Sequence, residues 1–185
     1  MTTPSSPRLT LPVTDRDHTQ GSPKALVHLV EYGDYECPHC GRAYSIVEEI
    51  CREAGDQLLF AFRNFPLTHS HEHAEMAAEG AEAAAAQQRF WEMHRILFTH
   101  QSELATSNLL QYASCLGIDT EQFRHALTTR AFRDRVHEDF MSGVRSGVNG
   151  TPTFFINGAR YDGPVDVPSL AAALAPGGHP EKIGS

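Results

Sequence analysis

Cys37-Pro38-His39-Cys40 carries the strongest chemical signal in the chain. Two thiols separated by two residues can close into a disulfide and reopen, so the pair reads as a dithiol redox motif. Apolar residues at Tyr44, Val47, Ile50 and Cys51 put a helix over Pro38–Ala54, with Cys37 at its amino end. Unpaired backbone N–H groups and the macrodipole favour an anion there. A thiolate so placed has a pKa below the free value of about 8.5, and only the thiolate attacks a disulfide. Cys40, one turn further in, is expected to be shielded and to resolve the mixed disulfide. Pro38 suits the first helical turn because it gives up no needed donor. His39 can place a donor or a positive charge beside the sulfur, favouring the reduced form and making the disulfide more oxidising. The competing readings are half of a zinc site, or two unremarkable thiols. Zinc needs four ligands, and no second C-x-x-C or C-x-x-H pair occurs, so neither metal nor cofactor is expected.

The elements that must hold this motif are legible on both sides of it. Ala25–Tyr32 (ALVHLVEY) reads as a strand buried on both faces, and Gln57–Phe65 (QLLFAFRNF) as a second. With the helix closed by Gly55, this gives a β-α-β unit whose parallel strands should cross right-handed. From about Ser70 to Gly147 the pattern is helical. Ala74–Trp91 continues through Thr99, and Ser107–Leu116 is stopped by Gly117. Asp119 or Thr120 caps a further helix through Thr129, and Phe132–Val144 is the last. The β pattern returns at Thr153–Ile156, turns at Asn157-Gly158 in a type I′ signal, and runs back through Ala159–Tyr161. Asp166–Leu174 is a closing helix with Pro168 in its first turn. Residues 1–22 read as a flexible arm, with Leu9–Val13 as a short edge strand, and 176–185 as a loose tail. The α/β domain then comprises 23–66 and 148–175, and a helical subdomain is inserted at 67–147.

The second half of the site is Gly150-Thr151-Pro152, heading the hairpin strand, where proline costs only the first ladder donor. A cis Thr151–Pro152 bond is expected, leaving the Thr151 backbone free to pair with an extended substrate peptide. Cys37–Cys40 together with Gly150-Thr151-Pro152-Thr153-Phe154-Phe155-Ile156-Asn157-Gly158 resembles the thioredoxin superfamily, and more narrowly its DsbA-like branch. The 111 residues between Cys40 and Pro152 leave room for a helical insertion that a minimal thioredoxin lacks. Glu31-Tyr32-Gly33-Asp34-Tyr35-Glu36 and Arg63-Asn64-Phe65-Pro66-Leu67 also look like that branch, and the resemblance covers residues 18–175. It implies a thioredoxin-like α/β fold with an inserted all-helical subdomain. It also implies thiol–disulfide exchange on proteins carrying disulfides or thiols, served by a redox partner dithiol. Glu31 is, by the same resemblance, a semi-buried acid that accepts the proton of Cys40. Two other classes stand beside this one. A glutathione-dependent isomerase or transferase of the DsbA-like fold typically replaces the second cysteine, which is present here. The other is a metal- or partner-binding module using the thiols as ligands.

Several residues are expected to be ordinary. Asp34 and Glu36 read as solvated loop carboxylates, and Cys51 and Cys115 as core thiols. His69, His71 and His73 fall at i,i+2, the wrong spacing for a helical metal site, and Ser70 reads as the cap of the Ala-rich helix. Tyr32, Tyr35, Phe65 and Phe155 read as core or rim. Fifteen basic against 23 acidic side chains give a net charge of −8 with no basic run, which argues against nucleic acid and anionic membrane as partners. No apolar run reaches 18 residues. The first 23 residues lack the apolar stretch of a secretory signal, so the cytoplasm is the expected compartment. There the pair should turn over as a reductase or isomerase, although Pro38-His39 favours an oxidising couple.

Overall fold

A computed structural model describes residues 7–175 of the chain. The elements are β1 (His18–Gly21), β2 (Val27–Gly33), α1 (Pro38–Ala54), a 3-10 turn (Gly55–Gln57), β3 (Leu58–Asn64), α2 (Ala74–Ala85), α3 (Phe90–Thr99), α4 (Thr106–Cys115), α5 (Thr120–Thr129), α6 (Arg133–Arg145), β4 (Thr153–Ile156), β5 (Ala159–Tyr161) and α7 (Val167–Leu174). The expected tail at 176–185 and the first six residues lie outside the described residues. The whole is an α/β thioredoxin-like fold with α2–α6 as its helical insert.

Chain contacts gather into two compact units. The first is built from the stretch ending at Tyr32, from Arg42–Arg63 and from Ser142 onward. It carries one sheet in the order β1-β3-β2-β4-β5. β1 runs antiparallel to β3, β2 to β4, and β4 to β5. All seven residues of β3 are buried, and so are the last five of β2, which is why both read as mostly apolar runs rather than alternating ones. The hairpin falls where the sequence puts it. Asn157 (φ 48°) and Gly158 (φ 79°) both occupy the left-handed region a type I′ turn demands. Asp166 caps α7 by accepting the Ser169 N–H at 2.8 Å, with proline in the first turn.

The amino-terminal segment departs from expectation. Leu9–Val13 forms no strand; pairing near it is a single bridge between Arg8 and Ala159. The edge strand is β1, with His18 opposite Phe62 and Gly21 opposite Leu59. The segment before it is no free arm. Arg63 donates to the carbonyls of Leu11 (3.1 Å) and Pro12 (3.0 Å) and to both carboxylate oxygens of Asp17 (2.7 and 3.0 Å). Thr10 bonds Ser146 Oγ through its own N–H at 3.0 Å. Buried partners more than forty residues away thus order a stretch whose local sequence has no structure-forming pattern.

The second unit comprises Gly33–Gly41 and Asn64–Met141. α2 is its axis, packed against α3, α4 and α5, and its alanines permit the close approach. The helix expected to run unbroken from Ala74 to Thr99 ends at Ala85 and restarts at Phe90. Gln88 sits at φ 60° in the break. The Gln87 side chain explains it. Its Oε1 accepts the Asp119 N–H at 2.8 Å and its Nε2 donates to the Asp119 carbonyl at 3.3 Å, turning the chain with no glycine or proline to announce it. Asp119 is the cap of α5, accepting from Glu121 and Gln122 N–H at 3.0 Å each. Ser70 caps nothing; the residue before α2 is His73, which makes no side-chain cap bond. The buried acids of this unit are paired: Glu79 with Arg130, Glu82 with the Asn64 amide, and Asp139 with Arg135.

Candidate active site

Cys37 immediately precedes α1, with Pro38 as the first helical residue. Its carbonyl accepts the Gly41 N–H at 3.0 Å, the first turn of the helix. Pro38 and His39 are exposed, Cys37 is 3% exposed and Cys40 is wholly buried. Both thiols are buried, Cys40 the more completely. Cys40 Sγ accepts the Asp34 N–H at 3.4 Å, and the Asp34 carbonyl accepts the Cys37 N–H at 3.2 Å.

Asp34 is the residue the sequence reading misjudged most. It is 1% exposed rather than solvated. Its Oδ1 accepts the Glu36 N–H at 2.8 Å, and its Oδ2 accepts the Leu67 N–H at 2.8 Å and faces His71 Nδ1 at 2.7 Å. Glu36 is half-buried, and its Oε2 accepts the His73 N–H at 2.7 Å. Two carboxylates therefore stitch the dithiol loop to the segment before α2, which is why 33–41 clusters with the helices rather than with the sheet. On the other side, Gln101 Nε2 donates to the carbonyls of Tyr35 and Cys37, both at 2.8 Å. Gly41 makes room for this: a Cβ there would stand 2.0 Å from Gln101 Oε1. Tyr35 is buried, with its hydroxyl 3.0 Å from His94 Nδ1 and its ring against Phe98. Asp34, His71, Gln101 and Gly41 have no local signature; only the tertiary structure brings them to the motif.

The other expected site residues belong to the sheet unit. The Thr151–Pro152 bond is cis, directly ahead of β4. Thr153 pairs with Tyr32 and Phe154 with Glu31. Glu31 is 2% exposed, more deeply buried than the semi-buried acid the resemblance implied and not a solvated strand end. Tyr32 and Phe155 are core residues in edge-to-face contact.

The remaining thiols divide. Cys115 is exposed, not in the core, because it ends α4 on its outer side. Cys51 is half-buried, and burial first, then the charges of Glu48 and Glu31, push its thiol up to about 12. On the order of 10⁻⁴ of Cys51 is then thiolate at pH 8. Brief iodoacetamide treatment at that pH should label Cys115 and leave Cys51 unmodified by peptide mass spectrometry; equal labelling would refute the burial argument. Among the described residues no group of three or more His, Cys, Asp or Glu is arranged to hold a metal ion, and no helix is long and apolar enough to cross a membrane.

A thioredoxin-like sheet, a long helical insert and a dithiol at a helix start define the class as a thioredoxin-like fold carrying an insert. The chain belongs to the thioredoxin family, whose profile matches residues 13–175. A thioredoxin-like oxidoreductase from Silicibacter pomeroyi superposes with a TM-score of 0.77 at 27% identity, covering 87% of this chain and 91% of that one. BdbD from Bacillus subtilis superposes at 0.80 with 24% identity, over 92% and 95% of the two chains, a likeness of fold. In sequence, the chain is 46% identical over 160 residues to Na(+)/H(+) antiporter NhaA 3 of Salinispora tropica, covering 86% of this chain and 24% of that protein. It is 46% identical over 165 residues to Na(+)/H(+) antiporter NhaA 1 of Mycobacterium sp. (strain KMS), covering 88% and 27%. The chain thus spans about a quarter of the length of these relatives.

Proposed function

We propose that this chain is a DsbA-like thiol–disulfide oxidoreductase that exchanges disulfides with proteins through Cys37 and Cys40. The observation that carries the reading is the placement of the two sulfurs, Cys37 at the head of a 17-residue helix and Cys40 sealed behind it against the Asp34 N–H. In the reductive direction the Cys37 thiolate attacks one sulfur of a substrate disulfide. A mixed disulfide forms and one substrate thiolate leaves. Cys40 then loses its proton and attacks Cys37 Sγ, releasing the second substrate thiolate and leaving the Cys37–Cys40 disulfide. A partner dithiol returns the pair to its reduced state. Glu31, buried on β2, is the proposed acceptor of the Cys40 proton, and Thr151-Pro152, with its cis bond, is the proposed shaper of the substrate groove. Pro38 and His39, exposed between the cysteines, tune the couple toward the oxidising side. In the cytoplasm, which we propose as the compartment, glutathione keeps such a pair as dithiol, so turnover there is reductive or isomerising.

The test is insulin reduction by the full chain with dithiothreitol, together with equilibration of the pair against glutathione. Turbidity should appear well ahead of the protein-free control. The pair should also be more oxidising than thioredoxin, whose potential is about −270 mV. Absence of turnover would remove the exchange reading, and a potential as low as thioredoxin's would remove the oxidising one.

A further inference from the structure

The run His69-Ser70-His71-Glu72-His73 is the motif that the proposed chemistry leaves unused, and the fold brings one member of it to the dithiol loop. His71 Nδ1 lies 2.7 Å from Asp34 Oδ2, with the carboxylate wholly buried and the imidazole 18% exposed. Through its backbone the same Asp34 touches both cysteines, accepting from Cys37 N–H and donating to Cys40 Sγ. A buried carboxylate beside a sulfur that must ionise is a like-charge penalty on the thiolate. Glu36, half-buried in the same loop, adds to it. Asp34, in direct contact, and Cys37 and Glu36, through their charge, act on His71, each negative when ionised. Burial acts to lower the His71 pKa, but the hydrogen bond and charge of Asp34, followed by the charges of Cys37 and Glu36, outweigh it and raise the pKa above the ordinary histidine value.

We propose that His71 is a positioning residue for the dithiol: as imidazolium, clamped by Asp34, it holds the loop and offsets the negative charge that would otherwise oppose the Cys37 thiolate. Deprotonating His71 withdraws that support, so the nucleophile answers to pH at a group other than its own sulfur. The inference rests on exchange through Cys37 and adds the regulation of that site. By linkage the coupling is reciprocal: closing the Cys37–Cys40 disulfide removes the thiolate and lowers the His71 pKa.

The experiment follows the thiolate absorbance near 240 nm of the reduced full chain against pH, with the Cys37→Ser chain as the blank for the other thiols. His71→Gln, which keeps a hydrogen bond but no charge, should raise the Cys37 midpoint by about half a unit to one unit, a roughly threefold to tenfold loss of thiolate below it. His71→Lys, charged across the range, should restore the midpoint. An unmoved midpoint in His71→Gln, or a His71→Lys midpoint as high as that of His71→Gln, would overturn the proposal. The wild-type chain gives a check that depends on no variant folding. The His71 ring protons, followed by NMR, should titrate at lower pH in the disulfide form than in the dithiol form, and identical titrations would also overturn it. These readouts are taken on Cys37 and His71 themselves. A shifted midpoint in a chain that fails to reduce insulin would sink the exchange reading and leave the coupling standing; the reverse outcome would do the opposite.

Discussion

Serine at position 37 should stop insulin reduction altogether, while serine at position 40 should stop it after one event per molecule. The two outcomes follow from where the sulfurs sit. A serine hydroxyl is not ionised near neutral pH even at a helix start, so Cys37→Ser loses the attacking group and turnover falls at least about 10³-fold, to the background of the reductant. Cys40→Ser keeps the attacking thiolate but removes the buried sulfur that releases it. That variant should accumulate a covalent adduct with a protein substrate, seen as a reductant-sensitive band on a non-reducing gel. Cys51 cannot take over the release. Cys51 is eleven residues along the same helix, about 16 Å away by helical rise, with its thiol pushed up to about 12. The asymmetry is the content of the prediction. A trapped adduct in Cys37→Ser and none in Cys40→Ser would reverse the roles, and wild-type turnover in both would remove the dithiol from the chemistry.

How much of this was legible beforehand depended on whether the determining contacts were local. α1, the hairpin of β4 and β5, and the caps at Asp119 and Asp166 came through to within a residue or so, because each is set by chemistry inside a few positions. Examples are proline at a helix start, Asn-Gly in a type I′ turn, and an aspartate two or three residues before the N–H groups it accepts. β1 was missed because HTQG has no strand composition; it is a strand only because β3 offers an unpaired edge. The break before α3 was missed because Gln87 makes it through Asp119, thirty-two residues on. At the site, the cysteine pair and the Thr151–Pro152 step were visible as motifs. The residues that hold the loop were not. Asp34 looks like any loop acid until Leu67 and His71 are seen against its carboxylate, and Gln101 carries no signal at all until its amide is found on the Cys37 carbonyl.

Arg63→Met should cost about 3–5 kcal/mol of stability without touching the dithiol, the largest effect expected away from the active loop. Every donor of the Arg63 guanidinium is committed: two bonds to Asp17, one each to the carbonyls of Leu11 and Pro12, and one at 2.9 Å to the Tyr32 hydroxyl. The charge is desolvated, which acts to lower its pKa, but the Asp17 bonds more than compensate and hold the group firmly protonated. Methionine fills much of the volume and leaves Asp17, a carboxylate with 5% of its side chain exposed, without its cation. The carbonyls of Leu11 and Pro12 lose their donors as well. Because Asp17 stands one residue before β1, the edge strand should loosen with it and bare the outer ladder of β3. For a chain of this size the loss corresponds to a fall of roughly 6–20 °C in Tm. Arg63→Lys should recover only part of it, since one ammonium cannot serve five acceptors in a plane. Removing the orphaned acid too, as Arg63→Met with Asp17→Leu, should recover more than either single change predicts, because an apolar pair pays no desolvation. Urea denaturation of wild type, the three single variants Arg63→Met, Arg63→Lys and Asp17→Leu, and the double variant measures this directly. An Arg63→Met variant within about 1 kcal/mol of wild type would mean that water, and not the guanidinium, can satisfy this segment, and that the amino-terminal residues are held by something other than the bonds described here.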